Sequence, residues 1–354
     1  MDNASLVRLF NDIPDRLSIA VLVPCYNEAA TIANVVTDFQ KFLPSAVIYV
    51  YDNNSHDGTS EVARASGAVV RYESLRGKGN VVRRMFADIE ADVYVLVDGD
   101  ATYDAASAPK MVCKLLEDGL DMLTSNRISI DQKAYRPGHR FGNKLLTKLV
   151  STVFGTQIVD MLSGYRVFSR RYVKSFPATA KGFETETELT VHALELRMRI
   201  AELEAPYFPR PDGSESKLST YRDGLRILWM IGRLIREERP LQFFASVALM
   251  LLLPGVMLGS SILIEFVETG LVPRLPTAVL STGLVLLSFL SLYSGIVLNS
   301  VSVSRREARR LAYLQLKGPI LANIYRKPKN RIRINSRPKL AEIAAGTHSH
   351  VLET

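Results

Sequence analysis

The chain has 354 residues, of which 47% are hydrophobic, and it carries a formal net charge of +8. The apolar fraction is high for a purely soluble protein, and the length allows one large domain or two. The basic excess lies beside two long uncharged runs, which favours an anionic membrane surface as a partner and no nucleic acid. Cys25 and Cys113 lack metal-ligand spacing and the N-terminal segment does not resemble a secretory signal, so we expect a cytosolic domain with reduced thiols.

Short apolar strands alternate with amphipathic helices in the first part of the chain. The pattern predicts strands at 18–23, 46–51, 68–72 and 93–97, and helices at 28–42 and from the Gly77-Lys78-Gly79 turn to about 89. Beyond residue 104 it predicts a helix to about 117, a strand at 121–125, and helices that open at 139 and 184. This alternation predicts an α/β fold with a mostly parallel sheet and helices on both faces.

Three of the predicted strands end in polar turns. These turns are Pro24-Cys25-Tyr26-Asn27-Glu28, the stretch from Asp52 to Thr59, and Asp98-Gly99-Asp100. Ligands of such sheets bind outside the C-terminal strand ends, so the turns are expected to form one site. Two carboxylates there suit a cation-bridged phosphate, and Lys78 at a helix start could approach the same phosphate. The alternative is an acidic turn that only caps a strand.

The C-terminal part predicts attachment to a membrane. Residues 219–240 have an apolar face and an arginine-rich face, which is typical of a helix in the membrane interface. The runs 241–264 and 275–304 contain no charged residue, and each exceeds the ~20 residues that a spanning helix needs. We therefore predict transmembrane helices at 241–264 and 275–300, within a hairpin at 241–304. Arginines flank both ends, which places the N-terminal domain, the basic tail at 305–354 and both termini in the cytoplasm.

Motifs along the chain resemble those of family 2 glycosyltransferases. They are VLVPCYNE at 21–28, DNNSHDGT at 52–59, GKGN at 77–80 and DGD at 98–100. Further stretches are similar to the polyprenyl-phosphate branch, which contains dolichyl-phosphate mannose synthases and bacterial undecaprenyl-phosphate sugar transferases. These are Arg127, HRFGN at 139–143, DMLSGYRVFSR at 160–170, FETETEL at 183–189 and SKLSTYRDG at 216–224. The resemblance covers about residues 17–240, and the hairpin is similar to that of several bacterial members.

The resemblance implies a GT-A fold, Rossmann-like and nucleotide-sugar-binding, at residues 1–218. It implies donor contacts from Pro24, Tyr26, Glu28, Asp52, Asn53, Lys78, Asp98 and Lys217. Asp98 and Asp100 are expected to hold Mg²⁺ or Mn²⁺ on the diphosphate, and the lipid phosphate is expected to contact Arg127, Arg140 and Ser163. Asp160 and Glu184 complete the catalytic set, as residues that orient the sugar or the acceptor. Many relatives continue the acidic motif as Asp-Leu-Gln, whereas this chain has Ala101-Thr102-Tyr103.

The implied reaction is transfer of a sugar, with inversion, from a UDP-linked donor to a polyprenyl phosphate at the cytoplasmic face of the inner or plasma membrane. Departure of a nucleoside diphosphate needs a cation, and a phosphate monoester with a second pKa of about 6 is already ionised, so a strong base is unnecessary. Such a reaction belongs to cell-envelope glycan synthesis. The sequence leaves open whether the hairpin mediates homo-oligomerisation.

Two other functions compete with this interpretation. A polysaccharide-forming synthase would carry a Gln-x-x-Arg-Trp motif, but Trp229 is the only tryptophan and it follows Ile227 and Leu228. A non-catalytic nucleotide-sugar-binding scaffold in the membrane would be expected to lack acidic or lysine site residues, and this chain has Lys78 and Asp100.

Overall fold

The computed structural model describes residues 17–129, 159–178, 182, 184–211, 236 and 239–318. The strands are β1 Ile19–Cys25, β2 Val47–Asp52, β3 Val69–Tyr72, β4 Val93–Leu96, β5 Met122–Ser129, β6 Arg166–Ser169 and β7 Ile200–Tyr207. The helices are α1 Ile32–Phe42, α2 Thr59–Ala65, α3 Lys78–Asp88, α4 Ala108–Glu117, α5 Arg170–Ser175, α6 Thr185–Glu195, α7 Pro240–Thr269 and α8 Leu275–Gln315.

The described strands form one mixed sheet in the order β3-β2-β1-β4-β6-β5-β7. β1 pairs in parallel with β2 and β4, and β2 with β3, as the alternation of strands and helices predicts. β6 runs antiparallel between β4 and β5, and β5 pairs in parallel with β7. The sequence pattern does not predict β6 and β7, because β6 opens with the buried Arg166 and β7 interleaves acidic and apolar residues.

The core has two layers, one on each face of the sheet. Successive residues of a strand point to opposite faces, and β1 follows this rule. Val21 and Val23 pack in the layer that α1 and α4 cover, whereas Ala20 and Leu22 pack in the layer that α3, α5 and α6 cover. A central strand buried on both faces reads as a continuous apolar run, which is why its sequence is recognisable.

The helices α7 and α8 form an antiparallel hairpin that is long and apolar enough to cross a membrane. Small residues face α7 along α8 at seven-residue steps: Ser281, Ser288 and Gly295 are buried there. Ser281 Oγ donates to the Gly255 carbonyl and Ser288 Oγ to the Ala248 carbonyl, both at 2.8 Å. Large apolar side chains cover the outer surface of the hairpin, which suits a lipid environment and indicates membrane association.

The helix α8 continues past the predicted end of its apolar span. The uncharged run stops at 304, but the helix goes on without a break to Gln315. Arginine and glutamate are good helix formers, so charged residues mark the end of an apolar span but not the end of a helix. Part of the predicted tail at 305–354 is therefore helical, and most of the remaining tail lies outside the described residues.

A buried histidine should make the stability of the protein depend on pH. His192 is 2% exposed and packs edge-on against Tyr172 and Phe176. Burial, with a smaller contribution from Arg309, lowers the pKa of His192 from 6.5 to about 3. Between these values only the unfolded chain binds the proton, so stability falls as the pH drops from about 6.5 toward 3, by up to about 1.4 kcal/mol per pH unit.

We therefore expect the thermal unfolding midpoint of the detergent-purified protein to fall between about pH 7 and about pH 5. His192→Phe keeps an aromatic ring but removes the titrating group, so its midpoint should fall less over the same range. Identical pH profiles for the two proteins would contradict this assignment.

A methyl group should not fit on the hairpin seam at Gly295. A Cβ there would lie 2.8 Å from Phe244 Cβ and 3.6 Å from Leu241 Cα. We expect Gly295→Ala to destabilise the protein by about 1–3 kcal/mol, as overpacked cores do. Gly283 on the same helix meets no atom within 4 Å, so Gly283→Ala is the matched control and should be neutral or slightly stabilising. Thermal unfolding of both variants in one detergent checks this prediction. Equal midpoints would contradict the close packing of Gly295 against α7.

Candidate active site

The loops that follow β1, β2 and β4 meet at one edge of the sheet, as their polar sequences predict. The Glu28 N–H donates to Thr59 Oγ1 at 2.9 Å, and Thr31 Oγ1 donates to the Gly99 carbonyl at 2.7 Å. A Cβ at Gly99 would lie 2.7 Å from Cys25 Sγ. Glycine is therefore required between the two carboxylates of the DGD motif, because the loops approach so closely.

Lys78 lies between two carboxylates at this edge. Its Nζ is 2.5 Å from Asp98 Oδ1 and 2.5 Å from Glu186 Oε1. The Lys78 and Glu186 side chains are 12% and 8% exposed, and that of Asp98 is 29% exposed. Burial lowers the pKa of Lys78, but the two carboxylates outweigh burial and raise it well above its ordinary value. Lys78 thus stays charged, and the cluster of one cation and two anions remains negative.

Asp100 is buried more deeply than Asp98. Its Oδ1 accepts from Thr102 Oγ1 at 2.6 Å, and its Oδ2 lies 2.7 Å from Arg210 Nη2. Burial raises the pKa of Asp100, the charge of Asp98 raises it further, and Arg210 opposes both. A carboxylate in this setting would be stabilised by a further positive charge between it and Asp98.

The pair of Asp98 and Asp100 fits a hard divalent cation. Both side chains supply the oxygen donors that Mg²⁺ and Mn²⁺ prefer, and a cation would counter the burial and the repulsion from Asp98 that raise the pKa of Asp100. Among the described residues, no three His, Cys, Asp or Glu side chains group closely enough to hold an ion. Mg²⁺ is often held by one or two carboxylates together with substrate phosphates, so a bound diphosphate would complete the ligand set.

Arg127 and Asp160 form a two-pronged ion pair at the C-terminal part of β5. Arg127 Nε and Nη2 donate to Asp160 Oδ2 and Oδ1 at 2.6 and 2.8 Å. The guanidinium also lies over the Tyr207 ring, 5.4 Å from its centroid. The structure thus brings together two residues that the sequence assigns to different roles, acceptor binding and catalysis. Arg140, the second predicted acceptor arginine, lies outside the described residues.

A fully buried arginine holds the segment that follows Asp160. Arg166 Nη2 and Nε donate to the carbonyls of Met161 and Ser163 at 2.6 and 3.0 Å, and its Nη1 donates to Thr190 Oγ1 at 2.8 Å. Ser163, predicted to contact the lipid phosphate, is itself fully buried. Sequence reasoning assigns no role to Arg166, which shapes the loop from its inner side.

The same loop approaches Asp98 closely at Gly164. The Gly164 N–H donates to the Tyr103 hydroxyl at 2.8 Å. A Cβ at Gly164 would overlap the Asp98 carboxylate. Glycine at this position therefore permits the close approach of the DMLSG loop to Asp98.

The residues predicted to contact the donor occupy different depths. Tyr26 is 37% exposed, Glu28 and Asp52 are 8% and 6% exposed, and Pro24 is half-buried. Asp52 accepts from Ser60 Oγ at 3.0 Å. The predicted donor contact Lys217 lies outside the described residues.

The side chain of Asn53 is hydrogen-bonded to the turn before α3. Its Nδ2 donates to the Glu73 and Leu75 carbonyls at 2.8 and 2.9 Å, and its Oδ1 accepts from the Gly77 N–H at 2.7 Å. In the structure, Asn53 thus builds the turn that presents Lys78 to the site.

Glu186 of α6 reaches the site, two positions after the predicted Glu184. Glu184 is exposed and accepts from the Gly182 N–H at 3.1 Å. Two residues correspond to about 200° around a helix, so the two side chains point to nearly opposite sides. Glu186 shares its face with the fully buried Leu189 and Ala193, and this spacing is the signal that could have identified it.

The contacts of Lys78 predict unequal effects for these two glutamates. Glu186→Gln should lower the free energy of unfolding by about 1–3 kcal/mol, because Lys78 loses one of its two charged partners. Glu184→Gln changes an exposed side chain and should alter it by less than about 0.5 kcal/mol. Thermal unfolding of the two variants checks this, and equal losses would contradict the placement of Glu186.

Comparisons with known proteins agree with the fold. The family model of glycosyl transferase family 2 matches residues 20–176, from β1 to α5. Glycosyltransferase AglJ of Haloferax volcanii is 33% identical over 310 residues, which cover 86% of this chain and 100% of AglJ. A dolichyl-phosphate hexose transferase of the same organism is 28% identical over 221 residues, or 62% of this chain and 95% of that protein.

Solved structures show the same fold. The crystal structure of glucosyl-3-phosphoglycerate synthase from Mycobacterium tuberculosis with Mn²⁺, UDP and glucosyl-3-phosphoglycerate aligns with a TM-score of 0.53 and 23% identity. The alignment covers 66% of this chain and 83% of that structure. The mixed sheet is therefore a GT-A fold, and the chain belongs to glycosyltransferase family 2.

Proposed function

We propose that the protein transfers a sugar from a nucleotide donor, UDP-linked, to a polyprenyl phosphate at the cytoplasmic face of a membrane. The observation that carries this proposal is the pair of Asp98 and Asp100 beside Lys78 at the end of β4, in a chain that ends in an apolar hairpin. The similarity to a dolichyl-phosphate hexose transferase supports a lipid phosphate as acceptor.

The donor diphosphate would bind over the acidic pair. Asp98 and Asp100 would hold Mg²⁺ or Mn²⁺, which when bound offsets the charge that develops on the departing nucleoside diphosphate. Lys78 is fixed by Asp98 and Glu186 and adds a positive charge next to the same phosphates. The turns that carry Tyr26, Asp52 and Asn53 would enclose the base and ribose. In this arrangement the leaving group would lie outside the C-terminal strand ends, where the ligands of such sheets bind.

The acceptor phosphate would bind on the β5 side of the site. Arg127 is held in a fixed orientation by Asp160 and would share the phosphate with Arg140. Because a phosphate monoester is largely ionised at neutral pH, its oxygen can attack the anomeric carbon directly. The chain then needs only to align the reactants. Asp160 would orient the sugar or the acceptor. One direct displacement inverts the anomeric configuration, so an α-linked donor would give a β-linked lipid product.

The proposed activity can be tested with radiolabelled UDP and GDP sugars, membranes that contain the protein, and undecaprenyl phosphate. We expect a lipid-extractable product from one of these donors. If the protein instead used a soluble phosphorylated acceptor, the labelled product would be water-soluble. Absence of a lipid-linked product with every donor would overturn the proposal.

The same assay tests the acidic pair. Asp100→Asn removes the charge that a cation requires, and we expect transfer to fall by at least about 10³-fold with the protein still folded. Asp118, an exposed carboxylate at the end of α4, provides the control, since Asp118→Asn should keep transfer within about twofold. Normal turnover by Asp100→Asn would show that the metal assignment is wrong.

A further inference from the structure

The C-terminal part of α8 packs against the catalytic domain with one face. The less exposed residues from Ser302 onward recur at steps of three and four, the spacing of one helical stripe; they are Ser302, Arg306, Arg309, Tyr313 and Leu316. The residues between them are exposed. This stripe, called the docking stripe below, makes contacts that the transfer chemistry does not use.

Tyr313 closes a cluster with Asp121 and Arg171. The Tyr313 hydroxyl donates to Asp121 Oδ2 at 2.8 Å, and the Arg171 guanidinium lies 4.4 Å from the centroid of the tyrosine ring. Arg171 also donates to both oxygens of Asp121, each at 2.9 Å. Burial and the charge of Asp121 raise the pKa of Tyr313, so its hydroxyl keeps the proton that it donates.

Arg309 adds an ion pair one helical turn earlier. Its Nη1 lies 2.6 Å from Glu195 Oε2, and the Glu195 side chain is 2% exposed. A buried ion pair is costly to break, because the remaining charge is left without a partner. Two polar contacts with buried acids therefore attach α8 to the domain.

Both contacts lie at the sheet edge away from the candidate active site. Asp121 precedes β5, whereas Arg127 stands six residues further along this strand, about 20 Å away. Likewise, α6 begins near Lys78 with Glu186 and ends with Glu195. The docking stripe thus holds the domain without covering the edge where substrates would bind.

The helix α8 also connects this attachment rigidly to the apolar hairpin. Tyr313 stands nine residues beyond Ser304, the last residue of the uncharged run, which is about 14 Å along a helix. No break in the helix separates the two points. The height and the rotation of the domain relative to the apolar segment are therefore set by contacts at Tyr313 and Arg309.

We propose that Tyr313 and Arg309 are positioning residues that present the active site to a phosphate in the membrane. This inference rests on the proposed transfer to a lipid phosphate. It assigns the docking stripe a role in the use of the membrane-held acceptor and none in donor binding or in the chemical step.

The test compares the double variant Tyr313→Ala/Arg309→Ala with Leu314→Ala/Arg310→Ala, whose side chains are on the exposed side of the same helix. The first readout is hydrogen–deuterium exchange of the amides in 303–316, measured on the full chain in lipid vesicles. We expect protection of this segment in the wild type and in the control, and its loss in Tyr313→Ala/Arg309→Ala.

The second readout is transfer to two acceptors, undecaprenyl phosphate in vesicles and geranyl phosphate in solution. For Tyr313→Ala/Arg309→Ala we expect kcat/KM with the vesicle acceptor to fall about tenfold or more, because the acceptor is no longer aligned. Transfer to geranyl phosphate should stay within about twofold. The conservative pair Tyr313→Phe/Arg309→Lys keeps the ring and the charge and should recover much of the vesicle activity.

Three results would overturn the inference. Unchanged exchange in Tyr313→Ala/Arg309→Ala would show that these contacts do not hold the helix. Equal losses with both acceptors would indicate a structural role. If the wild type used neither acceptor, the proposed function would fail and the positioning role with it, while the exchange data would still decide whether α8 docks.

Discussion

The arrangement of the site depends on one buried ammonium group between two carboxylates. Lys78 begins α3, Asp98 follows β4 and Glu186 lies in the first turn of α6, so one side chain joins three elements that are distant in sequence. Loss of one partner of such a group is destabilising, since the remaining groups keep their charges away from water. The excess negative charge of this cluster suits it to a cation, which could in turn bridge to a diphosphate.

The positions of the loops that follow β1, β2 and β4 can be predicted from the sequence because strand ends are local features. A buried apolar run such as 93–97 must end at the sheet edge, and the polar residues after it have to gather there. The roles of Glu186 and Arg210 do not follow from the sequence. Which acid of a helical turn faces inward depends on the phase of the helix against the core, and Arg210 reaches Asp100 only after β7 has paired with β5.

For the hairpin, too, one part of the structure can be predicted from composition and another part depends on packing. Its two apolar runs are evident from the absence of charge in 241–264 and 275–304. The seam between them is set by small residues that allow the backbones to approach and by serine hydroxyls that donate across it, as at Ser281 and Ser288. The continuation of α8 beyond its arginines was not evident from the sequence. Charged residues indicate that a segment is exposed to water, but they do not indicate where a helix ends.

The seven-residue repeat of α8 has a consequence for the length of the chain. Ser281, Ser288, Gly295 and Ser302 are buried, and one further step of seven leads to Arg309, which pairs with Glu195 of the N-terminal domain. A single inserted residue between Ser302 and Arg309 would turn the enzyme by about 100° about the helix axis. An insertion of seven would turn it by only about 20° while raising it by about 10 Å. A change in length beyond Ser302 would therefore alter both the height and the orientation of the domain relative to the hairpin, and insertions close to a whole number of helical turns would change the orientation least.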